Sequence, residues 1–141
     1  MKKQFSETFK SGTFKAQVTS VVLVNNTQKT INESVPTDTK WLLESIKAVN
    51  ADNVDRTVTV TLFKEAAKTN RIGILYSTTV TPSGHLVVPN NVASSAYLNL
   101  FNGYPMGAGY TLEIVWAAGG ASAGSTDADG LVIAFRELPL T

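Results

Sequence analysis

The 141-residue chain contains no cysteine and one histidine, His85. Without cysteine there is no disulfide framework, thiolate metal site, iron–sulfur cluster or cysteine nucleophile. With one histidine, two-histidine metal sites and paired-histidine catalysis are excluded within a single chain. Charge is also scarce, at 16% of residues, and nearly balanced: twelve Lys and Arg against eleven Asp and Glu, a net of +1. A nucleic-acid partner calls for a basic surplus that releases counterions, and this chain lacks one. No stretch approaches the roughly 20 apolar residues of a membrane-spanning helix. Met1-Lys2-Lys3 is not followed by the apolar core of a secretory signal. Glycine-rich phosphate loops of the Gly-x-Gly-x-x-Gly or Gly-x-x-x-x-Gly-Lys type are missing, which argues against nucleotide use. These absences lead to an expectation of no enzyme activity, no cofactor, no metal and no small-molecule substrate, in a chain that binds neither nucleic acid nor membrane.

What is present is β-branched. Seventeen Thr, fifteen Val and six Ile make up about 27% of the chain, and these side chains lose least freedom on a pleated strand. Turn clusters recur at 25–27, 35–38, 50–55, 68–70, 82–84, 89–91 and 102–105, with a long Gly- and Ser-rich stretch at 119–130. The spacing of the apolar runs between them suits a sandwich or barrel and not alternating strands and helices. In Arg56–Phe63, Val58, Val60 and Leu62 alternate with Thr57, Thr59 and Thr61, giving one apolar and one hydroxylated face; Tyr110–Trp116 repeats the pattern. Further strands are predicted over 14–24, 29–35, 41–49, 72–80, 85–88, 96–101 and 131–135. The inward set of Trp41–Val49 stays open, because its pleat needs a bulge near Glu44 and Ser45. Leu42–Ala51 and Lys64–Lys68 are the only helix competitors and both are too short and poorly capped. The expectation is an all-β chain: one antiparallel sandwich of jelly-roll or Ig-like type, about eight or nine strands, over residues 14–141. An extended arm over 1–13 precedes it, and 119–130 reads as a mobile hairpin loop.

Candidate chemistry is sparse. His85 lies in Pro82-Ser83-Gly84-His85-Leu86, a turn entering a strand, with no nucleophile elbow elsewhere. Asp127-Ala128-Asp129-Gly130 resembles part of a calcium loop but lacks the third ligand and closing Glu; it reads as an acidic hairpin, and cation binding there is open. Glu44 and Glu113 are expected on the solvent side of their strands. Tyr97, Phe101, Tyr104 and Tyr110 bunch around 97–110, either as a contact face or as the lid of the core.

The run Glu33–Asn50, with its Val35-Pro36, its turn and a strand ending Val49-Asn50, leads into Arg56-Thr57-Val58-Thr59-Val60-Thr61-Leu62. Together with Met106-Gly107-Ala108-Gly109-Tyr110-Thr111-Leu112, it resembles small β-sandwich virion proteins of tailed bacteriophages over roughly residues 30–138. The resemblance implies a non-enzymatic virion part: a capsid decoration or cement protein, or a tail or neck component, working as a homo-oligomer against a major capsid protein or tail proteins. On that reading Phe5, Phe9 and Phe14 dock on a neighbour, with Lys2, Lys3, Lys10 and Lys15 matching its acidic surface. The alternative is a carbohydrate- or receptor-binding module using Tyr97, Tyr104, Tyr110 and the 119–130 loop.

Overall fold

A computed structural model describes residues 12–88, 104–119 and 125–139 of the chain. Nine strands are present among them: β1 (Thr13–Leu23), β2 (Lys29–Ser34), β3 (Thr39–Val49), β4 (Arg56–Phe63), β5 (Arg71–Val80), β6 (His85–Val88), β7 (Tyr104–Met106), β8 (Thr111–Trp116) and β9 (Ser125–Pro139). All pairings are antiparallel. One sheet runs β1-β9-β3-β6, with β7 also on β3; the other runs β2-β8-β4-β5. The pairs β1·β9, β2·β8, β3·β6 and β4·β5 nest inside one another. The chain is therefore one long hairpin, its tip at 64–70, rolled so that its paired arms pass from one sheet to the other, β1·β9 and β3·β6 in the first and β2·β8 and β4·β5 in the second. That is the topology of a jelly roll.

Alternation explains the core. Val58, Val60 and Leu62 of β4 and Leu112, Ile114 and Trp116 of β8 point inward and have no exposed surface. Burying each contributes roughly 1.5–3 kcal/mol. In β3 the inward set is Trp41, Leu43, Ile46 and Ala48. The switch from odd to even positions falls at the register irregularity between Leu43 and Ser45, the bulge that the sequence requires there. Trp41 stacks on Phe135 at 3.9 Å between ring centroids, and the Trp116 indole N–H donates to the Val49 carbonyl at 2.9 Å.

Two expectations are corrected. Ser125–Gly130 is not loop but the first part of β9, with Leu23, Val22 and Val21 opposite Ser125, Thr126 and Asp127. This segment has little to bury, yet β1 offers it a backbone ladder, which its side-chain pattern does not reveal. Gly130 is required where β9 crosses β1, since a Cβ there would lie 2.6 Å from Val21 Cβ. Tyr104–Met106 is likewise a strand and not a turn, paired with Trp41–Leu43. Neither helix competitor is helical: Leu42–Val49 is strand and Lys64–Lys68 belongs to the β4–β5 turn. The predicted strand 96–101 lies outside the described residues.

Candidate functional site

β1 lies at one end of its sheet, with β9 on one side and, among the described residues, no strand on the other. Its odd positions point inward. Val21 and Leu23 enter the core, while Gln17 and Thr19 meet β2, where Gln17 Nε2 donates to Glu33 Oε2 at 2.6 Å and Thr19 Oγ1 to Glu33 Oε1 at 3.4 Å. Burial at this seam pushes the Glu33 carboxyl up from its ordinary range, against the downward pull of these two donors. The alternation survives the irregularity at Ser20, because the two extra residues lie in β9: Thr19 to Val21 spans two steps on β1, Leu131 to Asp127 four on β9.

Even positions point outward, and there the pattern departs from that of an ordinary solvated strand. Phe14 and Val18 are each 54% exposed, Val22 46%, and Val24, just past the strand, 52%. Directly across on β9 stand Arg136, Ala134, Val132 and Thr126. Beyond them, in register, come Leu42, Ser45 and Lys47 of β3, and then Val87 of β6, exposed like the β1 row. Single exposed apolar residues are normal on a protein surface, but a row of them along one edge is a candidate contact surface. Arg136 bounds the row at the Phe14 end: its guanidinium bonds Glu44 at 2.8 Å and lies 5.8 Å from the Phe14 ring centroid. At the other end a groove of about 250 Å³ is lined by Val22, Val24, Thr27, Gln28 and Lys29. The outer face of the second sheet is built differently. Hydroxyls of Thr57 and Thr79, and of Thr59 and Ser77, bond across strands at 3.2 and 2.7 Å, and Lys68 pairs with Glu113 at 2.6 Å. One face of the sandwich is thus hydroxylated and charged, while the other carries an apolar row along its β1 edge.

Of the residues singled out from sequence, Phe14 belongs to β1 and not to the arm, and heads this apolar row. Lys2, Lys3, Phe5, Phe9, Lys10 and Tyr97 lie outside the described residues. Lys15 bonds Glu137 at 2.6 Å, and this bond, with a weaker one from Trp41, holds the Glu137 carboxyl below its ordinary range. Tyr104 and Tyr110 are half-buried, packed against the core. His85 is exposed at the start of β6, and its backbone pairs with Val49. Asp127 and Asp129 lie on β9, with the Asp129 N–H donating to Asp127 Oδ1 at 2.8 Å. Among the described residues no group of three or more His, Cys, Asp or Glu is placed to hold a metal ion, and no helix is long and apolar enough to cross a membrane.

Sequence reasoning missed one cluster. Arg56, wholly buried, places Nε and Nη2 on Asp52 Oδ2 at 2.8 and 2.7 Å. Its remaining donors go to three carbonyls: Nη1 to Thr27 at 2.9 Å and Ala117 at 3.0 Å, and Nη2 to Val24 at 2.8 Å. Asn50 completes the turn, donating to the Val54 and Val80 carbonyls at 2.8 Å each. This is an internal staple joining three loops at one end of the sandwich. The available signal was an Asp and an Arg four residues apart in a turn cluster.

No family model matches the chain, and no curated protein does. Among solved structures it is similar to a chain in the structure of infectious bursal disease virus, Gx strain, at 14% identity and a TM-score of 0.25. That alignment covers 87% of this chain, which spans 31% of the viral one. At such a score the likeness carries no argument about function.

Proposed function

We propose that the chain is a non-enzymatic structural protein of a virus particle, a decoration or cement protein that grips the shell and stabilises it. The resemblance to phage virion sandwiches suggests the class. The jelly-roll topology is one that viral capsid domains use, although lectins and cupins use it too, so the fold by itself decides nothing. The observation that carries the reading is the apolar outer row Phe14–Val18–Val22 on a long sheet edge, set against a hydroxylated opposite face. A rigid sandwich with one adhesive face suits a subunit that sits flat on a surface and shows its wet side to solvent. The contact on the shell is expected to be apolar along the β1 row and polar beyond it, where Arg136 and Glu44 lie at the Phe14 end and Lys47 lies between Val132 and Val87.

The test is add-back. Shells assembled without the chain are mixed with the purified protein and sedimented. Saturable co-sedimentation at a fixed number of copies per shell, with a rise in the temperature at which the shell ruptures, is expected. Absence of binding at saturating protein, or recovery of the chain only with tails, contradicts the shell reading.

A further inference from the structure

We propose that the outer face of the first sheet docks a protein surface on which an aliphatic strip runs beside a line of carboxylates, the strip lying on the β1 row and the carboxylates on Lys40, Arg136 and Lys47. This deepens the reading of that face as a contact surface and rests on it.

Charge on the face is segregated. The whole chain is nearly neutral, with twelve Lys and Arg against eleven Asp and Glu. Where β9 and β3 run together, however, the outward positions carry three cations against one acid. In register, Lys40 stands opposite Leu138, Arg136 opposite Leu42 and Lys47 opposite Val132, with Glu44 at the bulge. Alternation sets Lys40 and Lys47 outward, because Trp41, Ile46 and Ala48 beside them are buried. Asp127 and Asp129 lie at the other end of β9, where Asp127 pairs with Val21. One strand over, β1 presents Phe14, Ala16, Val18 and Val22, with Ser20 its one polar outward residue. An apolar stripe and a cationic stripe therefore run side by side.

The cations are uncommitted. Lys40 and Lys47 make no ion pair or hydrogen bond among the described residues. Arg136 uses Nε on Glu44 at 2.8 Å, and its two Nη nitrogens make no hydrogen bond among the described residues, which leaves them for a bidentate bond to a carboxylate.

The pairing of stripes selects the partner. A nucleic-acid backbone would leave the apolar stripe unmatched. A lipid headgroup layer is entered by side chains that protrude, whereas these valines lie flush on a pleated sheet. A second copy brings the same three cations and a single acid, so like charges would meet or stay unpaired. Four strand widths by about ten residues give a footprint on the order of 600 Å² before side-chain relief is added, close to the roughly 800 Å² that each partner buries in a stable specific interface.

Co-sedimentation of the full purified chain with shells assembled without it tests this. Lys40→Glu and Lys47→Glu break no bond inside the protein, so each should fold with an unchanged β spectrum and weaken binding roughly tenfold, as should Arg136→Gln. Lys64→Glu, exposed at the hairpin tip, should bind like wild type. Carbodiimide coupling of the bound chain should join Lys40 or Lys47 to a shell Asp or Glu. Coupling that runs only from this chain's acids to shell lysines overturns the proposal, as does wild type that pellets equally well with anionic phospholipid vesicles. So does resistance of Lys40 and Lys47 to acetylation in the unbound chain, which would show the face already covered by the chain itself or a second copy. If wild type binds shells and the three variants bind as tightly, this pairing alone fails; if wild type binds no shell, the particle role fails and the pairing with it.

Discussion

Replacing Arg56 by alanine removes a guanidinium whose contacts all end inside the protein. The Asp52 carboxylate, also wholly buried, loses its counter-charge, and the carbonyls of Val24, Thr27 and Ala117 lose a donor together. Removing one partner of a buried pair costs about 3–5 kcal/mol, because the remaining charge stays desolvated without its counter-charge, although the Asn53 N–H still donates to Asp52 Oδ1 at 2.7 Å. That is a large share of the roughly 5–15 kcal/mol that holds an ordinary domain together. The expected fall in thermal midpoint is roughly 10–15 °C for a chain of this size, read by circular dichroism and checked by urea unfolding at constant slope. Arg56→Lys should recover only part of the loss, since one ammonium cannot serve a carboxylate and three carbonyls in a planar fork. The double variant Asp52→Ala/Arg56→Ala should lose less than the two single losses combined, because neither charge is then stranded. An Arg56→Ala protein within about 1 kcal/mol of wild type would refute the reasoning; the staple would then be ornament.

Two further outcomes follow from single close contacts and one from titration. Gly130→Ala should destabilise by at least about 1–3 kcal/mol, because its Cβ would overlap Val21 and neither backbone can retreat within the ladder; unchanged urea unfolding would show that β9 shifts freely there. Gly119→Ala should do the same, since the new Cβ would lie 2.8 Å from Arg56 Nε and 3.0 Å from Val54 Cγ2, and this loss should shrink in an Arg56→Ala background. Glu33 has a folded pKa raised above its ordinary 4.5, so the stability it contributes is present below 4.5 and is lost as pH rises through the raised value. Glu33→Gln removes that dependence, and its melting temperature should gain on wild type as pH rises from 4.5 to 7; a constant difference would place Glu33 in open solvent.

Strict alternation made β4 and β8 legible in advance, because Thr-Val-Thr-Val has only one amphipathic solution on a pleat. The bulge in β3 was also visible, as a phase slip between Leu43 and Ile46. The start of β9 was not, since Ser125–Gly130 is held by backbone pairing to β1 and offers no apolar period. The same limit hid the candidate site. Val21-Val22-Leu23-Val24 is a continuous apolar run, so the sequence cannot say which members face out; only the pairing of β1 with β9 and the packing of Val21 and Leu23 assign Val22 to the surface. Arg56 was recognised as the start of a strand, but its carbonyl partners lie 29, 32 and 61 residues away, and no local pattern brings them together.

Imaging virus particles assembled with and without the chain tests the proposed shell role most directly. It predicts regularly repeated difference density on the outer shell, into which the sandwich fits with the Phe14–Val18–Val22 row against protein and the Thr57–Thr79 face toward solvent. Density confined to the tail, the reverse orientation, or no density in particles made with the chain would contradict it.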